Sequence, residues 1–186
     1  MEVFQPDAQT LRGSFHSQLI AQRPTLKAQK LKITLIVVSK TDVSYIKAGI
    51  DDYVGRLKHY VDFDIVTIQP KTASSVSPAF VKQQEGQLLL KHLQKADRIV
   101  LLDERGRELR SVEFADYLQR QANAAVRHLC FVTGGAYGFA DEVYKAAHDK
   151  ISLSRMTFNH QMVRLFFVEQ LYRAFTIINH EKYHNE

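Results

Sequence analysis

The sequence predicts an α/β protein built on a mostly parallel sheet with helices on both faces. Two observations carry this. Short, nearly continuous apolar runs rich in β-branched residues recur along the chain, and stretches with three- and four-residue apolar spacing alternate with them. Interior strands of a parallel sheet are covered on both sides, so they read as unbroken apolar runs.

The first confident element is LKITLIVVS, Leu31 to Ser39, an interior strand. After KTD, the spacing of Val43, Ile46, Ile50, Tyr53, Leu57 and Tyr60 predicts an amphipathic helix, capped by Thr41 or Asp42. Phe63 to Ile68 is a second strand and Lys71 to Ser77 a polar loop. Ser77-Pro78 starts a helix that runs to about Lys95. Arg98 to Leu102 is a third strand, ending in the loop Asp103 to Gly106. Ser111 caps a helix through about Ala124. His128 to Thr133 is a fourth strand, followed by the loop Gly134 to Gly138. A short helix at Asp141 to Ala147, a short strand at Ile151 to Leu153 and a long helix that follows His160 and continues to about Ile177 complete the order.

The chain has 186 residues, 45% of them apolar and 24% charged. That is one globular domain's worth, with a sizeable core. Residues 31–186 read as that single domain. Residues 1–30 read as an N-terminal extension, flexible or non-native, with a possible short helix from Phe15 to Ala21. They lack the apolar core of a signal peptide. No run of eighteen apolar residues predicts a membrane helix. The lone cysteine, Cys130, excludes a disulfide within the chain and reads as a buried strand residue. The net charge of +5 is compatible with a polyanion partner but does not establish one.

Ligands of open α/β sheets collect beyond the carboxyl ends of the strands. Three loops meet that rule: Leu102 to Gly106, TGGAYG at Thr133 to Gly138, and SLSRMTFNH ending at His160. In the third, Ser154, Thr157 and Asn159 offer polar groups, while Leu153, Met156 and Phe158 suit an apolar slot. The glycine loop alone supports only a turn. GxGxxG, the phosphate-binding Walker sequence, HExxH and GxSxG are absent, so phosphoryl transfer and metallohydrolysis have little support. His160, His180 and His184 match no familiar zinc spacing, and no metal is expected.

Five stretches together carry a resemblance. The opening KITLIVV strand, LLDERG, FVTGGAYG, SLSRMTFNHQMVR and the closing EQLYRAFTIINHEKYH resemble, in this order, the RlmH family of 23S ribosomal RNA pseudouridine-N3 methyltransferases of the knotted SPOUT superfamily. The likeness spans residues 31–186, and residues 1–30 have no counterpart in it. It implies a SPOUT-type fold with a C-terminal trefoil knot and a cytoplasmic homodimer with its active site at the interface. It implies S-adenosyl-L-methionine as cofactor. It further implies methylation of a pseudouridine in the helix 69 loop of 23S ribosomal RNA within the 70S ribosome, with no membrane and no metal. The family's cofactor contacts fall on Leu102, Gly134, Leu153, Ser154, Arg155, Met156, Thr157 and Phe158. His160 or His184 is expected to supply a base or a water route, and Arg164 to stabilise charge on the uracil carbonyls. The bland alternative has His160 capping the last helix and Arg164 binding a phosphate. Arg173, His180 and Tyr183 are expected at the RNA, and Tyr172 in packing. The rival readings are a SPOUT enzyme with another ribosomal or transfer RNA target, a non-catalytic ribosome-binding factor, and an unknotted nucleotide-binding protein.

Overall fold

The computed structural model describes residues 31–70 and 77–185. The extension at 1–30 and most of the polar loop, 71–76, lie outside the described residues. The element order is β1 (Lys32–Val38), α1 (Ser44–Leu57), β2 (Asp62–Ile68), α2 (Pro78–Leu93), β3 (Arg98–Glu108), α3 (Ser111–Asn123), β4 (His128–Thr133), α4 (Asp141–Ala146), β5 (Asp149–Ser152) and α5 (Met162–Ile178). The five strands form one parallel sheet in the order β2-β1-β4-β3-β5.

Burial follows from this order. β1 and β4 are interior strands, and nearly every residue in them is buried. Successive side chains point to opposite faces. Ile33, Leu35, Val37, Leu129 and Phe131 therefore enter one core with α1, α3 and α5. Ile36, Val38, Cys130 and Val132 enter the other with α2 and α4. The first core centres on Phe131, whose ring lies 4.8 Å from Phe167 and 6.0 Å from Phe114. Cys130 is fully buried, and burial pushes its thiol up to about 11.

Helix starts differ from the sequence expectation in an informative way. Ser77 does cap α2, accepting from the Phe80 amide at 3.3 Å. α1 instead begins after Val43, with no side-chain cap of its own. The amides of Asp42 and Val43 donate to Gln161 Oε1, at 2.9 and 3.1 Å, from a residue more than a hundred positions away. Ser111 is the first residue of α3 rather than its cap, and it donates to Gln170 at 3.0 Å. Glu113 folds back to accept from the Arg110 amide at 2.8 Å. His160 is not the cap of α5, which starts after Gln161. Local reading finds local caps, whereas two of these ends are tied by tertiary contacts.

β3 is the largest departure. It was expected to end at Leu102, but it continues to Glu108. The reason lies in its pairing with β5, itself shifted to Asp149–Ser152. Leu102 and Arg107 both face Ile151, so Asp103 to Gly106 are extra residues in the ladder. Such a bulge bends the strand and re-aims its side chains, often beside a functional site. Gly106 makes it possible: a Cβ there would stand 2.6 Å from the backbone N and C of Ile151.

Candidate active site

The carboxyl ends of β3, β4 and β5 surround a cavity of about 760 Å³. The chain leaves β3 toward α3 on one face and leaves β4 toward α4 on the other. That divergence opens the crevice in which open α/β sheets bind ligands. Three stretches build the walls. The β3 bulge gives Leu102 and Asp103 to Arg105. The end of β4 and its loop give Thr133 to Phe139. The run after β5 gives Leu153, Ser154 and Met156 to His160.

The run after β5 is shaped by its own serines. Ser152 Oγ donates to the Ser154 carbonyl, and Ser154 Oγ accepts from the Met156 amide, both at 2.9 Å. These turns leave Met156 78% exposed and Phe158 37% exposed at the cavity. Phe158 stacks on Phe166 of α5 at 5.3 Å. The glycine loop closes through the Gly138 amide, which donates to the Gly135 carbonyl at 3.1 Å. Gly138 has φ of 74°, a conformation that side chains disfavour.

The bulge supplies the charged wall. Asp103 accepts hydrogen bonds from the Tyr144 hydroxyl and, at 2.8 Å, from the Arg105 amide. The Arg105 guanidinium reaches the same tyrosine hydroxyl and lies over its ring. Burial pushes the Asp103 carboxyl up, but Tyr144 and Arg105 outweigh it and hold it below the ordinary aspartate value. Asp103, Arg105 and Tyr144 were not among the site residues expected from sequence. The loop from Leu102 to Gly106 was marked by the strand-end rule, but nothing local points to Tyr144.

Most of the expected site residues meet at the cavity, and the rest lie apart from it. Leu102, Gly134, Leu153, Ser154, Met156, Thr157 and Phe158 all line the cavity, and His160 is exposed on its wall. The Arg155 side chain faces a neighbouring groove, where Nε donates to Glu108 at 2.8 Å. Arg164 is 2% exposed behind the site. Its guanidinium donates to Thr41 Oγ1 at 2.8 Å and to the Val38 carbonyl at 2.6 Å, joining α5 to the end of β1.

Arg173, on the far part of α5, forms a separate cluster with Tyr183 and His184, which follow the helix. Glu169 accepts from Arg173 at 2.6 and 3.1 Å and from the Tyr183 hydroxyl at 3.1 Å. Arg173 also lies 4.7 Å from the Tyr183 ring centroid, and His184 Nδ1 is 3.4 Å from its Nη1. Tyr172 packs among Tyr53, Tyr60 and Tyr183, at 4.9 to 5.9 Å between centroids. His180 is exposed and ends the helix in a left-handed conformation, with φ of 57°.

The cavity suits S-adenosyl-L-methionine on three observations. Its volume falls in the range of about 300–1,000 Å³ for small-molecule sites. Leu102, Leu153, Met156 and Phe158 offer an apolar slot for a flat base. Thr133 Oγ1 is buried at the cavity end of β4 with no hydrogen-bond partner, and so is free to meet a polar ligand group. Among the described residues no cluster of histidine, cysteine or carboxylate residues can hold a metal.

A parallel α/β sheet with a glycine loop and an apolar slot at its strand ends has the form of a site for a nucleoside-bearing ligand. A family model described as "Predicted SPOUT methyltransferase" matches residues 31–184. Ribosomal RNA large subunit methyltransferase H of Parabacteroides distasonis is 50% identical over 157 residues, covering 84% of this chain and 100% of the relative. The protein of the same name from Flavobacterium psychrophilum is 48% identical over the same shares. The chain belongs to the SPOUT methyltransferases, in the family of ribosomal RNA large subunit methyltransferase H. It is a methyltransferase, and its cofactor is S-adenosyl-L-methionine.

Proposed function

We propose that this chain methylates N3 of a pseudouridine in the helix 69 loop of 23S ribosomal RNA, on the assembled 70S ribosome and as a homodimer. The reading rests on one observation above others. Three separated stretches, at Leu102, Gly134 and Leu153 to Phe158, line one cavity with His160 on its wall. Similarity across the whole length of enzymes named for the large-subunit RNA, and 84% of this chain, supports the substrate class. Ribosomes place the reaction in the bacterial cytoplasm. Among the described residues no helix is long and apolar enough to cross a membrane.

The cofactor supplies a methyl carbon on a sulfonium, and the chain supplies position. Leu102, Leu153, Met156 and Phe158 hold the base, and the glycine loop admits the backbone close to the ligand. Pseudouridine N3 is a weak acid, so its proton must leave as the bond to the methyl carbon forms. His160 is the candidate acceptor, because an exposed imidazole stands at the cavity.

The two-chain reading has a physical support within α5. His160 precedes the helix, while Arg173 lies eleven residues past Met162, about 16 Å along the axis. One chain thus keeps the cavity and the Arg173, Tyr183 and His184 cluster apart. A second copy brings its own cluster to the first cavity and doubles the net charge of +5 that each chain carries. In this reading Arg173, His180 and Tyr183 contact RNA from the partner. The run from β4 through α5 forms the trefoil knot of the family.

Transfer of labelled methyl groups to 70S ribosomes and to isolated 50S subunits, with mapping of the modified base, tests the substrate. The expected result is one methyl group on N3 of a helix 69 pseudouridine, with 70S preferred. A methyl group on another ribosomal or transfer RNA nucleotide would show a different target. Ribosome binding without transfer would leave a non-catalytic factor. For the proton acceptor, His160→Ala at saturating cofactor is expected to slow single-turnover transfer by about a hundredfold. Unchanged rates in both His160→Ala and His184→Ala would remove the histidines from the chemistry.

A further inference from the structure

Glu85 is the one acidic residue among the described buried ones, at 6% exposure. It lies on α2, behind the glycine loop rather than in the cavity. Its Oε2 has no hydrogen-bond partner, and burial pushes the carboxyl above the ordinary glutamate value. The carboxyl occupies the space that a side chain on Gly135 would need. A Cβ on Gly135 would stand 2.3 Å from Oε2 and 2.7 Å from both Oε1 and Cδ. The neighbouring Gly86 lets α2 come equally near the start of α4, where a Cβ would stand 2.8 Å from that of Ala140. Helix α2 is thus brought in by a glycine and then held off the loop by a carboxyl.

We propose that Glu85 is a positioning residue for the cofactor, whose carboxyl sets the height of the loop from Gly134 to Gly138 and so the shape of the cavity wall. The proposal rests on the reading that this cavity receives S-adenosyl-L-methionine. An unpaired buried carboxyl is a poor choice for stability, because an apolar side chain of similar size avoids the desolvation. Its location gives the reason for keeping it. Gly135 carries the carbonyl that closes the loop, and both Gly134 and Gly135 line the cavity on the side away from Glu85. Residues that serve a site at the expense of stability leave this signature.

The test compares Glu85→Met, Glu85→Gln and Phe158→Ala with the unaltered protein, by S-adenosyl-L-methionine titration, steady-state kinetics and thermal melting. Glu85→Met is expected to melt at or above the original temperature. Its KM for the cofactor should rise roughly tenfold or more, with kcat at saturating cofactor little changed. Glu85→Gln, of the same shape, should retain most of the affinity. Gly135→Ala should weaken cofactor binding, and Glu85→Ala in that background should restore part of it by making room for the methyl group. Glu85→Met with unchanged affinity would overturn the proposal, as would affinity and melting temperature falling together, which is what a merely structural residue predicts. If Glu85→Met does not fold, the Gly135 and Glu85 double variant decides, and absence of rescue overturns the proposal. If Phe158→Ala leaves the affinity unchanged, the cavity reading itself fails and Glu85 falls with it. If Phe158→Ala weakens binding and Glu85→Met does not, only the role of Glu85 is lost.

Discussion

Gly106→Ala is expected to destabilise the protein by about 3 kcal/mol and to weaken cofactor binding with it. The added methyl group would meet three backbone atoms of β5, two of them at 2.6 Å and one at 2.7 Å. Backbone within a parallel ladder cannot swing aside as the end of a side chain can. Relief therefore requires β3 and β5 to part where Arg107 faces Ile151. That separation loosens the bulge that carries Asp103 and Arg105, and the strand that leads into Leu153 to Phe158. Urea denaturation and cofactor titration check both parts. A variant with unchanged midpoint and affinity would mean that the bulge is not closely packed on β5.

Arg164→Ala is expected to cost about 3 kcal/mol, because two hydrogen bonds from a charged group are lost and the Val38 carbonyl is left without this partner. The loss falls where β1 ends and where Gln161 ties the start of α1. The wall that carries His160 should loosen, so activity should fall with stability. Arg164→Lys should recover only part, since an ammonium cannot span the Thr41 hydroxyl and the Val38 carbonyl as a planar fork does. From sequence alone Arg164 is expected instead at the RNA, either at the uracil carbonyls or on a phosphate. Denaturation separates the two roles. Unchanged stability with a large loss in kcat would return Arg164 to the chemistry.

The architecture was legible where apolar pattern and topology coincide. β1 and β4 are interior strands, so LKITLIVV and HLCFV read correctly without any partner in view. The long helix α5 was legible because Phe167, Leu171 and Ala174 keep one face. The bulge in β3 was not, because DERG is locally a polar turn and only its register against Ile151 extends the strand. Gln161 as the cap of α1 and Glu85 beneath Gly135 are tertiary pairings with no local signature. Within the site, the strand-end rule marked all three loops, and the family resemblance selected residues from them. That selection concerned positions, so it did not fix where each side chain points. Arg155 sits between Ser154 and Met156, yet its side chain turns to Glu108 while theirs line the cavity.

The central claim is that the cavity at the ends of β3, β4 and β5 is the cofactor site. Amide hydrogen exchange with and without S-adenosyl-L-methionine tests it most directly. Protection is expected together in Leu102 to Gly106, Thr133 to Gly138 and Ser152 to Val163, the three stretches that wall the cavity. Cofactor binding that protects none of these stretches, or only residues elsewhere such as the groove between Glu108 and Arg155, would contradict it.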